Sequence, residues 1–229
     1  MIAVFYATEG EIGREPLEGF SEKGKIELPE WQKGVHKARV RWGVYQGREI
    51  ILAQTGIWRE VPELGNTQAK EVAVFVLDKF PVEMVVIAGI CGGLKRNLET
   101  GDLVICSPVH FEGQPSLLPD AVLVSLAAMT LQESGIRFRI GNNLTIPFFA
   151  WRLEDKKRIV EEHPEAEIVE MEDYFVALVA VSRKVPFLAV RAVGDTFREY
   201  DGGDEIVESF RDVPRILHAN FFLPFLQRL

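Results

Sequence analysis

The sequence predicts an α/β fold built on a largely parallel sheet. Apolar runs of strand length alternate along the chain with stretches of helix length, the order that places helices as crossovers between parallel strands. Two runs, EMVVIAGI (83–90) and DLVICSPV (102–109), are apolar without alternation, as expected of central strands covered on both faces. No internal repeat, low-complexity tract or Gly/Ser linker interrupts the 229 residues, so residues 1–229 read as a single domain.

The elements follow in order. Residues 1–6 form a short apolar strand that ends in the polar loop TEGEIGRE. Residues 15–36 are the most loop-like stretch of the chain. HKARVRWGVYQ and REIILAQTG read as two strands joined by a turn at Gln46-Gly47. Residues 64–80 are helical, with Ala69, Val72, Ala73, Val76 and Leu77 on one face. The two apolar strands come next, then a helix over 121–134 and a strand in RFRIGNNLTI. Residues 153–162 read as a charged surface helix ended by His163-Pro164. EIVEM is a short strand or its exit, residues 173–184 are a buried helix, and PFLAVRAV is the last strand. Pro214 and Pro224 are expected to break the C-terminal helices.

Composition excludes several function classes. The chain is 47% hydrophobic with a net charge of −8, which argues against a nucleic-acid or anionic-membrane surface, since both need clustered Lys and Arg. No apolar run reaches membrane-spanning length. Cys91 and Cys106 are the two cysteines; they lie in strand-like segments without metal-ligand spacing and read as reduced core thiols. The N-terminus has no basic leader. The expectation is a soluble cytoplasmic protein with no metal and no cofactor, acting on a small molecule.

Four segments are candidates for chemistry, besides EIVEMEDYF (167–175), where four acids surround Met171. Those acids suit a helix start, because the dipole is positive there, or a site with one carboxylate turned inward. AGICGGL (88–94) is either a tight turn or a loop whose backbone meets a ligand; it fits neither G-x-G-x-x-G nor a P-loop. ATEGEIGRE (7–15) places Glu11 just past a strand end. VGDTF (193–197) places Asp195 at another, as a helix N-cap or as a carboxylate facing a cleft. IPFFAW (146–151) is apolar core or a stacking surface.

Taken in order, these pieces resemble the nucleoside phosphorylase and nucleosidase superfamily, with the likeness greatest to bacterial 5′-methylthioadenosine/S-adenosylhomocysteine nucleosidases. ATEGE, GICGGL followed by GDLV, VEME and VPFLAVRAVGD match the family's pattern, and Asp195 follows Glu172 by 23 residues, the family's spacing. The resemblance implies a three-layer α/β/α architecture with a central, twisted, mostly parallel mixed sheet. It implies that Glu11 activates the attacking water and that Asp195 hydrogen-bonds or protonates the imidazole-ring nitrogen of the purine. By the same matching Glu172 grips the ribose hydroxyls, Met171 packs on the sugar, Phe149 stacks on the base, and the Ala150 backbone meets the purine edge. Gly89 and Ile90 fall in the loop at the water or phosphate site. Glu170 joins the substrate-binding candidates, while Glu167 and Asp173 are expected to be solvated or capping.

This set suits cleavage of an N-glycosidic bond. Positive charge builds on the ribose in the transition state; carboxylates stabilise it, deliver a proton to the leaving base and take one from water. Asp195 must then be protonated when it acts, so its pKa should be raised. The sequence departs from the family at Ile90, where a hydroxyl residue usually stands, and this favours hydrolysis over phosphorolysis unless Arg14 or Arg59 supplies the anion site. Residues 110–125 do not match the part that shapes the 5′-substituent pocket, so the 5′ group stays open: methylthio, homocysteinyl, or the bulkier groups of futalosine-type and adenosylhopane-type relatives. The competing readings are a purine nucleoside phosphorylase and a non-catalytic nucleoside sensor. The family is commonly dimeric or larger, which implies a homodimer or larger homo-oligomer.

Overall fold

The computed structural model describes residues 1–7, 19–28, 38–56, 62–200 and 211–229, with the backbone only for 62–67. Nine strands form one mixed sheet: β1 (Ile2–Tyr6), β2 (Ser21–Glu27), β3 (Arg39–Tyr45), β4 (Arg48–Gln54), β5 (Met84–Gly93), β6 (Leu103–Phe111), β7 (Phe138–Thr145), β8 (Ile168–Glu170) and β9 (Phe187–Asp195). The helices are α1 (Pro62–Lys79), α2 (Ala121–Ser134), α3 (Leu153–Glu162), α4 (Asp173–Ser182), α5 (Val213–Leu217) and α6 (Leu223–Arg228).

The sheet runs β2-β3-β4-β1-β5-β8-β7-β6-β9, and β5 also pairs with β9, so the last five strands close on themselves. The pairs β1–β4, β1–β5, β5–β9, β6–β7 and β7–β8 are parallel. Every residue of β1 and β9 is buried, as expected of strands covered on both faces. One face is covered by α1 and α4, whose Ala69, Val72, Val76, Val176 and Ala180 pack against Phe5, Ile51 and Ile87. The other is covered by α2 and the C-terminal helices, through Leu123, Leu131, Leu217, Phe221 and Phe225. This is the three-layer arrangement expected.

The expected hairpin turn is present. Gln46 and Gly47 have φ of 49° and 79°, positive at both positions as a tight hairpin turn matching strand twist requires. Three expectations need correction. Residues 21–27 lie inside the stretch read as loop, yet they form β2, an edge strand whose side chains are mostly exposed and which is held by antiparallel pairing with β3. The glycines of AGICGGL are not a turn after a strand; β5 continues through Gly93. The prolines of the tail do not end helices. Pro214 sits in the first turn of one, where a missing N–H leaves no bond unmade; Pro224 stands near the start of the other, and a π-helical turn, His218–Phe222, joins the two.

Candidate active site

β9 delivers two side chains to the site. The strand carries Arg191 in its middle and Asp195 at its end, both about 1% exposed. Its pairing with β5 steps from Cys91↔Val193 to Gly92↔Asp195 and passes over Gly194. An extra residue of this kind re-aims the side chain that follows, and here it turns the Asp195 carboxyl over β5. A Cβ on Gly92 would stand 3.3 Å and 3.4 Å from the two Asp195 oxygens and 3.1 Å from Val169 Cγ1. A side chain at this position would crowd Val169 and the Asp195 carboxyl, and Gly92 leaves them their room.

Lys156 forms an ion pair with Asp195 Oδ2, and its Nζ also donates to the Thr196 carbonyl at 2.7 Å. Lys156 is completely buried, although α3 is otherwise the charged surface helix that the sequence suggested. The signal was present: Leu153, Lys156 and Ile159 recur at a three-residue spacing, which puts Lys156 on the inward stripe beside buried Ile159. Burial pushes the Asp195 pKa up, and the Lys156 ammonium opposes it. The direction is upward, as a proton-donating acid requires. The Thr196 N–H, next in the chain, donates to the Tyr200 hydroxyl at 2.6 Å.

Arg191 organises the acidic segment. Its Nε donates to Asp173 Oδ1 at 3.0 Å, and Nη2 reaches Glu170 Oε2 at 3.2 Å and Glu172 Oε2 at 3.4 Å. Nη1 donates to the Ile90 carbonyl at 3.2 Å. One guanidinium thus joins β5, β8, β9 and the start of α4. Burial acts against its charge, and Asp173, Glu170 and Glu172 outweigh that to hold its pKa above the usual range. Asp173 is accordingly not solvated: it is fully buried, and Asn143 Nδ2 donates to its Oδ2 at 2.7 Å. Glu167 is only partly exposed and pairs with Arg139 at 3.4 Å.

Glu170, one of the expected substrate contacts, engages protein donors through both oxygens. Oε2 accepts the backbone N–H groups of Glu172 and Asp173 at 2.6 Å and 2.7 Å, and Oε1 accepts from Thr145 Oγ1 and Asn143 Nδ2. Burial and the neighbouring Asp173 charge raise its pKa to about 7, against the pull of Arg191. Glu172 stands at the head of α4 and caps no backbone N–H of the helix with its side chain. It is 8% exposed, the only one of the three acids bound to Arg191 that is not almost wholly enclosed at its side chain.

The remaining candidates fall along the same end of the sheet. Gly89 is buried in β5 in register with Arg191, and Ile90 is half-buried. Met171, between Glu170 and Glu172, is partly exposed. After β7, Phe148 packs inward against the cluster of Leu144, Ile146 and Ile159, whereas Phe149 is 51% exposed and Ala150 is buried. Of two adjacent phenylalanines, one is core and one presents its ring outward. Glu11, Arg14 and Arg59 lie outside the described residues. Among the described residues no cluster of His, Cys, Asp or Glu suits a metal ion, and no helix is long and apolar enough to cross a membrane. Cys91 and Cys106 are free and buried, with burial pushing both thiols up.

Arg191, Lys156, Asn143 and Thr145 were not anticipated as parts of the site. Arg191 lay within a quoted motif, and an arginine inside an apolar strand was the signal, because a charge is not buried without partners. Asn143 and Thr145, on β7, gave no comparable signal.

Comparison with known proteins agrees with this fold. The chain is 27% identical over 169 residues to the 5′-methylthioadenosine/S-adenosylhomocysteine nucleosidase of Staphylococcus epidermidis, an alignment covering 67% of this chain and 71% of that protein. The fold superposes on the futalosine hydrolase of Helicobacter pylori with a TM-score of 0.82 at 21% identity, over 100% of this chain and 97% of the other. It also superposes on a mutant nucleosidase of Helicobacter pylori with 5′-methylthioadenosine in the active site, with a TM-score of 0.81 at 22% identity, over 100% and 98%. At those identities the two structures speak for the fold alone. The sequence profile of the phosphorylase superfamily matches residues 2–222, and the chain belongs to that superfamily.

Proposed function

We propose that this protein is a purine nucleosidase. It hydrolyses the N-glycosidic bond of an adenine nucleoside with a modified 5′ position, of the methylthioadenosine or S-adenosylhomocysteine type. The observation that carries this reading is the Asp195 carboxyl, buried at a strand end over Gly92, with its neutral form favoured by burial. A leaving purine needs a proton as the bond breaks, and an acid of raised pKa supplies it near neutral pH.

In this reading Phe149 stacks on the base and the Ala150 backbone meets its edge. Met171 packs on the sugar, and Glu172 accepts the ribose hydroxyls while Arg191 holds its other side. Gly89 and Ile90 border the attacking water, which Glu11 polarises. Glu170 fixes Arg191 and the head of α4 rather than reaching substrate. The glycosidic electron pair leaves with the base, the Asp195 proton moves to the imidazole nitrogen, the water oxygen bonds to C1′, and the proton that the water loses passes to Glu11. The whole chain acts as one domain, in the cytoplasm, and pairs with a second copy. Leu118 and Val122, exposed at 71% and 73%, support such pairing.

The test is chromatography of the products of purified protein with adenine nucleosides differing at the 5′ position, in phosphate-free buffer and with phosphate in excess. The expected result is free adenine and free ribose derivative at an unchanged rate. A rate proportional to phosphate, with a ribose 1-phosphate product, makes the protein a phosphorylase. Binding without release of base from any nucleoside makes it a sensor.

A further inference from the structure

The mechanism above uses Asp195 as the proton donor but leaves Lys156 unexplained. A completely buried lysine is rare, and this one is committed to the proposed acid: Nζ is ion-paired with Asp195 Oδ2 and donates to the carbonyl of the next residue at 2.7 Å. It comes from α3, 39 residues away in sequence. A lysine meant only to neutralise charge has no need of burial. A carboxylate held beside a buried ammonium also contrasts with the neutral acid that a departing purine requires.

We infer that Lys156 and Asp195 act as a single proton-carrying pair, in which Lys156 is the positioning residue and proton reserve behind Asp195. This rests on the nucleosidase reading. The pair holds one proton between Nζ and the Asp195 carboxyl. As the glycosidic bond stretches and the purine becomes basic, an Nζ–H bond breaks and an Asp195 O–H bond forms. That O–H bond then breaks as the N–H bond of the purine imidazole ring forms. Lys156 is left a neutral amine and Asp195 a carboxylate. The attacking water leaves its oxygen and one hydrogen on C1′, and its other proton passes to Glu11 and then, through solvent, restores the ammonium. The low dielectric around the pair aids the transfer, because burial penalises the separated charges and narrows the gap to the neutral pair.

Among the described residues, the other titratable groups near the pair do not compete for this role. Tyr200 has its hydroxyl on the Thr196 N–H at 2.6 Å. Cys91, on β5, is a buried thiol raised further by the Asp195 charge. Glu170, Glu172 and Asp173 are held by Arg191. On α3 itself, Arg158 lies on the outer surface with Asp155 at 3.6 Å.

The experiment is the pH profile of kcat/KM on an adenine nucleoside for wild type and Lys156→Met. Wild type is expected to stay active well above neutral pH, until the pair loses its single proton. In the Met variant Asp195 must hold that proton alone, so the alkaline limb moves down by at least one pH unit, and the loss at pH 8 exceeds the loss at pH 6 by at least tenfold. A purely structural lysine lowers the whole profile evenly, and that result overturns the inference. A second arm uses wild type only, in case the variant does not fold: the alkaline limb is measured between 15 and 35 °C. An ammonium-controlled limb moves to lower pH on warming; a limb that stays fixed, as for a lone carboxylic acid, overturns the inference. If wild type releases no base at all, the nucleosidase reading fails together with this one. If it releases base with either contrary result, only the Lys156 role fails.

Discussion

Arg191 Nε donates to Asp173 Oδ1 at 3.0 Å across 18 residues of sequence, and this contact ties the centre of β9 to the head of α4. The same guanidinium reaches Glu170 and Glu172. Three carboxylates therefore depend on one cation where almost no water enters. Removing one partner of such a group leaves the others buried without compensation, which costs about 3–5 kcal/mol. Arg191→Met is expected to lose stability of that order in urea unfolding. A change below about 1 kcal/mol, the range of exposed pairs, contradicts the hub role.

Glu170 gives the pH dependence. Its pKa is raised from 4.5 to about 7 in the folded protein, so between those values the native state binds more protons than the unfolded one. Stability from this group is then full below pH 4.5 and is lost as pH rises toward 7. The shift corresponds to an effect on the order of 3 kcal/mol. A glutamine does not titrate, so the stability gap between wild type and Glu170→Gln should change in wild type's disfavour between pH 5 and pH 7.5. A gap that stays constant across that range shows that Glu170 keeps an ordinary pKa.

Glu172→Gln addresses the sugar. A carboxylate accepting two hydroxyl hydrogen bonds contributes roughly 1.5–3 kcal/mol per bond. Calorimetry should show a large loss of affinity for adenosine and a small one for free adenine. Equal losses for the two ligands place Glu172 outside the ribose site.

Much of the fold was legible because its signals are local. The apolar runs of β5 and β6 needed no partner to be recognised, and Gln46-Gly47 marked its hairpin. The edge strand β2 was not legible. SEKGKIE is mostly exposed, so it shows no alternation, and pairing with β3 alone holds it. The glycines of β5 misled for a related reason: glycine within a strand reads as a break unless the reader knows that Asp195 and Val169 fill the space above Gly92.

The site divides the same way. Asp195 and Glu172 became candidates through the motifs of the family resemblance. Lys156 could not be paired with Asp195, because nothing local links an α3 side chain to the end of β9. Asp173 was misjudged because an acid at a helix start suits the dipole, and its real partners, Arg191 and Asn143, arrive from other strands.

The most direct test of the account is Asp195→Asn. Asparagine keeps the size of the side chain and removes the carboxyl that passes the proton to the base. The account predicts that release of adenine falls by about 10²–10⁴-fold, while the dissociation constant for the intact nucleoside stays within a few-fold of wild type. Turnover near the wild-type rate would contradict the assignment of Asp195 as the acid and, with it, the proposed mechanism.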